Sequence, residues 1–128
     1  MPQEQQIRRA VEGYVEAFNK QNREQFSALF AEDAVQRDPV GGEPNRGRAA
    51  ITGFYDAVFQ AMDRVDFRIT DLVVTADEAA LVFRITAFKR DGGVVHEDGI
   101  DTFRVNDEGL ITEIKGFHDS AHTRVVEG

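Results

Sequence analysis

The stretch from Val65 to Ala87, "VDFRITDLVVTADEAALVFRITA", decides the fold. Val65, Phe67 and Ile69 alternate with polar residues, Leu72 and Val74 resume the alternation, and beyond Asp77-Glu78 it returns at Leu81, Phe83, Ile85 and Ala87. A period of two puts every second side chain on one face, so the segment predicts two strands sharing an apolar side, with a turn between them. The pattern continues downstream. Asp91-Gly92-Gly93 is a hairpin signal, Val94 to Val105 predicts a strand, Asn106-Asp107-Glu108-Gly109 predicts another turn, and Leu110 to about Asp119 predicts the last strand.

Upstream of Val65 the period lengthens to that of a helix. Ile7, Ala10, Val11, Tyr14, Ala17 and Phe18 recur at three- and four-residue steps, with Arg8, Arg9, Glu12 and Glu16 opposite them. Asn22 has the character of an N-cap with Gln25 three residues on, and Phe26, Leu29 and Phe30 form a short second stripe before a brief strand, Val35 to Asp38. A third helix is expected from about Arg48 to Met62, with Ile51, Phe54, Tyr55, Val58 and Met62 on one face. Three helices followed by a strongly curled antiparallel sheet make an α+β layout with the helices covering one face. The length suits a single domain over residues 1–128, and 41% hydrophobic residues with ten phenylalanines can fill one core.

Fifteen basic residues against twenty-three acidic ones give a net charge of -8, which repels nucleic-acid backbones and anionic membrane surfaces and favours a neutral small molecule as partner. There is no cysteine, so disulfides and thiol chemistry are excluded. Nothing in Met1 to Gln6 resembles a signal peptide, and a cytoplasmic location is expected. His96, His118 and His122 are the only histidines and no His-Glu-x-x-His helix appears, so no metal is expected. Gly41-Gly42 and Gly92-Gly93 read as turn glycines rather than a phosphate cradle, so neither a nucleotide nor any other cofactor is expected.

Four polar residues stand where chemistry could be done. Tyr14 is in register with Ile7, Val11 and Phe18, so its hydroxyl points inward; it is either a core tyrosine bonded to a backbone carbonyl or a donor into a cavity. Period two places Asp101 on the face of Phe103 and Val105; there it is buried or at a pocket mouth with a raised pKa, whereas a register slip of one would leave it a surface acid near Arg104. In "VQRDPVGG", Val35 to Gly42, proline biases Asp38 toward extended backbone and the glycines turn the chain away. Asp38 is then either a cap for the following loop amides or a fixed general base. His118 follows Ile114 and Gly116 in alternation, which points it inward, where it is an interior histidine satisfied by backbone or a group that assists in chemistry. A carboxylate facing two hydrogen-bond donors suits proton abstraction beside a carbonyl, with the donors on the enolate oxygen.

Three stretches carry a resemblance: Phe30 to Gly41, "FAEDAVQRDPVG"; Gly47 to Tyr55, "GRAAITGFY"; and Asp98 to Arg104, "DGIDTFR". Over nearly the whole chain they resemble the Δ5-3-ketosteroid isomerases of the NTF2-like superfamily. That resemblance, rather than spacing, implies a cone-shaped barrel, a curled sheet wrapped by three helices around an apolar cavity open at one end. The family's known mechanism then implies Asp38 as base and Tyr14 with a protonated Asp101 as oxyanion hole, all three being catalytic. It further implies that Phe30, Val40, Phe54, Tyr55, Phe83, Phe103 and His118 bind the substrate, that Tyr55 supports the oxyanion tyrosine, and that the protein is a homodimer. Phe30 stands where some relatives have a tyrosine, and His118 where a tryptophan or phenylalanine usually lies beside the base, which implies that His118 can hydrogen-bond Asp38 and lower its pKa. The expected activity is a cofactor-independent isomerase acting on a steroid-like ketone. A cyclase or dehydratase acting on a polyketide or terpenoid ketone, and a binding protein without activity, remain open at this stage, because the fold alone names no function.

Overall fold

The computed structural model describes the whole chain, Met1 to Gly128. Helix α1 spans Glu4–Asn19, α2 Arg23–Ala28 and α3 Arg48–Ala61. The strands are β1 Phe30–Arg37, β2 Asn45–Arg46, β3 Met62–Thr75, β4 Glu78–Lys89, β5 Val94–Val105, β6 Ile111–Phe117 and β7 Thr123–Val126, with one 3-10 turn at Ser120–His122 before the last. The sheet order is β2-β1-β6-β5-β4-β3, and β7 adds to β5 alongside Val94 to Glu97.

The helical period does what it predicts. Ile7, Val11, Tyr14, Val15 and Phe18 of α1 are buried against the concave side of the sheet, where Phe67, Leu81, Phe83, Phe103 and Ile114 meet them. Each such side chain contributes roughly 1.5–3 kcal/mol by leaving water. Asn22 caps α2 through its side chain, which accepts from the Gln25 amide at 3.0 Å. The register of β5 is the expected one. Asp101, Phe103 and Val105 are buried, and the inner row Leu81, Asp101, Gly116 crosses β4, β5 and β6. The neighbouring row on the outer side, Val82, Ile100 and Phe117, is exposed.

Five expectations are corrected. The sheet is mixed rather than wholly antiparallel, because β1 lies parallel to β6, with Gln36 beside Ile114. It is curled but does not close into a barrel, since its edge strands β2 and β3 do not pair with each other. The first strand begins at Phe30 rather than Val35: the Leu29 carbonyl accepts from the Ile111 amide at 2.8 Å and Arg48 donates twice to the Phe30 carbonyl, drawing this stretch out of helix. Helix α3 ends at Ala61, as Met62 adopts extended backbone to pair with Lys89. The final strand ends at Phe117, and β7 is an addition that four residues of sequence are too short to announce. No helix is long and apolar enough to cross a membrane.

Candidate active site

Asp38 follows directly on β1, held from the far side by the turn beyond it. The Val40 amide donates to the Gly116 carbonyl at 3.0 Å and the Gly42 amide to the Pro39 carbonyl at 3.1 Å, with Gly41 at φ 93° where only glycine is at ease. The Asp38–Pro39 peptide is cis. The Asp38 carboxyl accepts nothing from these loop amides. It lies instead over Gly116, where a Cβ would overlap it. Since Gly116 faces Asp101 across β5 and β6, the missing side chain lets Asp38 reach the same interior as Asp101.

That interior is a cavity of about 370 Å3. Tyr14, Asp38, Asp101, His118 and Glu97 reach it, and Phe18, Phe54, Val58, Met62, Val65, Phe67, Phe83, Ile85, Ala87 and Val95 supply its apolar wall. A more open concavity of about 460 Å3 lies on the outer side, around Val40, Val82, Ile100 and Phe117. The inner cavity is where the titratable groups converge.

Tyr14 is 2% exposed, and the rings of Phe18, Phe26, Phe30, Phe67 and Phe103 pack around its own at centroid distances of 5.2–6.5 Å. This aromatic collar fixes the ring while the hydroxyl bonds to no protein group, so the carbonyl-bonded core tyrosine is not what forms. Burial first, then the charges of Asp101 and Asp38, hold its pKa well above that of an ordinary phenol. Asp101 is 5% exposed and likewise has no protein partner. Burial drives its carboxyl well above the carboxylate range, and the charges of Asp38 and Glu97 push the same way. Both effects disfavour the charged form of this carboxyl.

Asp38 is less deeply placed. Burial raises its pKa, and His118, whose Nε2 is 3.3 Å away, pulls it back. The other ring nitrogen, Nδ1, is 3.8 Å from Glu97, so His118 stands between two carboxyls and makes no bond to backbone. Burial raises Glu97 as well, opposed by His118 and reinforced by Asp38. No group of three or more His, Cys, Asp and Glu is placed to hold a metal ion.

Phe54, Phe83 and His118 reach the cavity as expected, and Phe83 does so because Gly99 makes room: a Cβ there would sit 2.6 Å from the ring. Four other expectations are corrected. Phe30 and Phe103 stand behind Tyr14 as part of its collar rather than on the cavity wall. The Tyr55 hydroxyl donates to the Ala17 carbonyl at 2.9 Å, tying α3 to α1 instead of supporting Tyr14. Val40 turns outward on its loop and is exposed. Glu97 was not foreseen, although it shares the face of Gly99 and Asp101 on β5, and that period of two was its available signal.

A family model, the SnoaL-like domain, matches residues 11–114. A steroid Delta-isomerase of Nocardioides simplex is 35% identical over 112 residues, covering 88% of this chain and 89% of the relative. The Delta 5-3-ketosteroid isomerase from Mycobacterium sp. has a similar structure at 25% identity, with a TM-score of 0.85 over 94% of this chain and 98% of that one. SalBIII, an epoxide hydrolase/cyclase-like enzyme in pyran ring formation in the polyether salinomycin, reaches a TM-score of 0.88 over 98% and 99% of the two chains; at 23% identity this is a likeness of fold. By sequence over most of its length and by its cone of helices on curled sheet, the chain belongs to the SnoaL-like domain family, within the NTF2-like fold.

Proposed function

We propose that the cavity is the active site of a cofactor-independent isomerase that shifts a carbon–carbon double bond beside a ketone, with a steroid or a similarly flat hydrophobic ketone as substrate. Asp38 takes the proton from the carbon between ketone and alkene and returns it further along the chain of carbons. The dienolate formed in between carries its charge on oxygen, where the Tyr14 hydroxyl and the Asp101 carboxyl donate to it. The apolar wall excludes water, which strengthens both bonds and protects the intermediate.

One observation carries this reading. Two buried donors, Tyr14 and Asp101, have no partner inside the protein and sit with a pinned carboxylate around one apolar cavity. Both groups line the cavity and neither spends its hydrogen bond on the protein, so each is poised for a ligand oxygen. The steroid Delta-isomerase relative supports the substrate class. The test is ultraviolet absorbance of the conjugated enone with 5-androstene-3,17-dione, run beside Asp38→Asn. The expected result is rapid conversion that falls by about 10²–10⁴-fold in the variant. Bound but unreacted steroid would reject the isomerase.

A second reading, cyclisation with the same base, is favoured by His118 and Glu97, polar groups that a proton shift confined to the substrate does not require. We also propose that the protein works as a homodimer joined through the outer face of its sheet, where Val82, Ile100 and Phe117 form an exposed apolar row.

A further inference from the structure

We propose that Asp38, His118 and Glu97 form a proton relay from the catalytic base to solvent, so that the protein exchanges α-protons of its ketone with water as well as moving them within the substrate. This rests on the isomerase reading above. Three observations lead to it. His118 presents one ring nitrogen to each carboxyl, Nε2 at 3.3 Å from Asp38 and Nδ1 at 3.8 Å from Glu97. Neither carboxyl has another partner in the protein. His118 is 33% exposed and Glu97 24%, against 17% for Asp38, so the two groups beside the base are more open to water than the base itself.

The neighbouring charges do not compete for the imidazole. Asp119 accepts from the His122 amide at 3.0 Å, Asp98 accepts from Arg84 at 2.8 Å, and Asp101 lies deeper in the cavity. A histidine that only fills space needs one partner at most. Here both nitrogens face groups that can give or take a proton, the arrangement a shuttle requires. At 3.3 and 3.8 Å both contacts are longer than a formed hydrogen bond, and each carboxyl must move closer to the ring before a proton passes.

The protons balance. Asp38, as carboxylate, takes the substrate proton and becomes a neutral acid. The Asp38 proton passes to Nε2 of the imidazole, making an imidazolium that the Glu97 carboxylate holds from the Nδ1 side. The imidazolium, the most exposed of the three groups, gives this proton to water and takes a solvent proton in its place at Nε2, which it returns to Asp38 for delivery to the substrate. No charge is gained or lost over the cycle, and no co-reactant besides water is needed.

The test is conversion of 5-androstene-3,17-dione in D2O, with mass analysis of the product at early conversion and a protein-free control. The wild-type product is expected to carry deuterium, and the labelled fraction of the product that does form to fall several-fold in both His118→Phe and Glu97→Gln, whatever each change does to the overall rate. Equal labelling in all three proteins overturns the relay. A second measurement does not depend on turnover: Asp38→Asn is expected to move the His118 Nε2 resonance in 15N NMR, and Glu97→Gln the Nδ1 resonance. If neither moves, the relay is likewise rejected. A protein that leaves the steroid unreacted refutes the isomerase reading, and the ring resonances then decide the relay by themselves.

Discussion

Asp101 stores a conflict between folding and function. Below the ordinary carboxylate pKa of about 3.9 the unfolded and folded chains both hold its proton, so nothing is lost on folding. As pH rises above that value the unfolded chain releases the proton while the buried acid keeps it, so the folded state is penalised increasingly, by up to about 1.4 kcal/mol per pH unit until Asp101 itself titrates. Asp101→Asn removes that penalty. Urea unfolding at a series of pH values from 4 to 7 is therefore expected to show the variant gaining on wild type as pH rises. Tyr14, Asp38 and Asp101 were legible in the sequence because each is a polar group placed where period or a proline-glycine turn left it conspicuous. Glu97 was not, since His96, Glu97 and Asp98 together dissolve the apolar alternation that marks a face. The lining aromatics were legible only as buried. Whether Phe30 and Phe103 meet a ligand or the back of Tyr14 depends on how helix and sheet are set against each other, which no local period records.

At the scale of elements, the site is a matter of what a strand omits. Gly116 of β6 leaves the space in which the Asp38 carboxyl lies, and Gly116→Ala would push that carboxyl, a side-chain end rather than backbone, out of its place. Its expected signature is a fall of about 10² in kcat, the effect of misplacing a base by about an ångström, with little change in the urea midpoint. Tyr55→Phe is the contrasting case. Its hydroxyl ties α3 to the Ala17 carbonyl, so the variant is expected to lose about 1 kcal/mol of stability in denaturation while turning over within about twofold of wild type. The helices, the hairpins and the inward register of β5 followed from spacing alone. The parallel docking of β1 on β6 did not, because a short run of alternating residues says which face is buried but neither which strand lies alongside nor in which direction it runs.

For the whole molecule, the exposed row Val82, Ile100 and Phe117 crosses three adjacent strands on the side away from the cavity. If it joins two copies, sedimentation should give twice the chain mass for wild type and the single chain mass for Ile100→Asp, whose change lies at the middle of the row. The cavity, meanwhile, is built from widely separated parts of the chain. The carboxyl proposed as its base rides on residue 38 and the floor beneath it on residue 116, brought together by the parallel pairing of β1 with β6, where Gln36 lies beside Ile114. Helices and hairpins close over short loops and form early, whereas this contact must wait for a closure that spans most of the polypeptide. The proposed activity is therefore expected to be the last property a refolding chain acquires: the far-ultraviolet circular dichroism of its helices should return before the enone signal does, and turnover becomes a kinetic clock for topology.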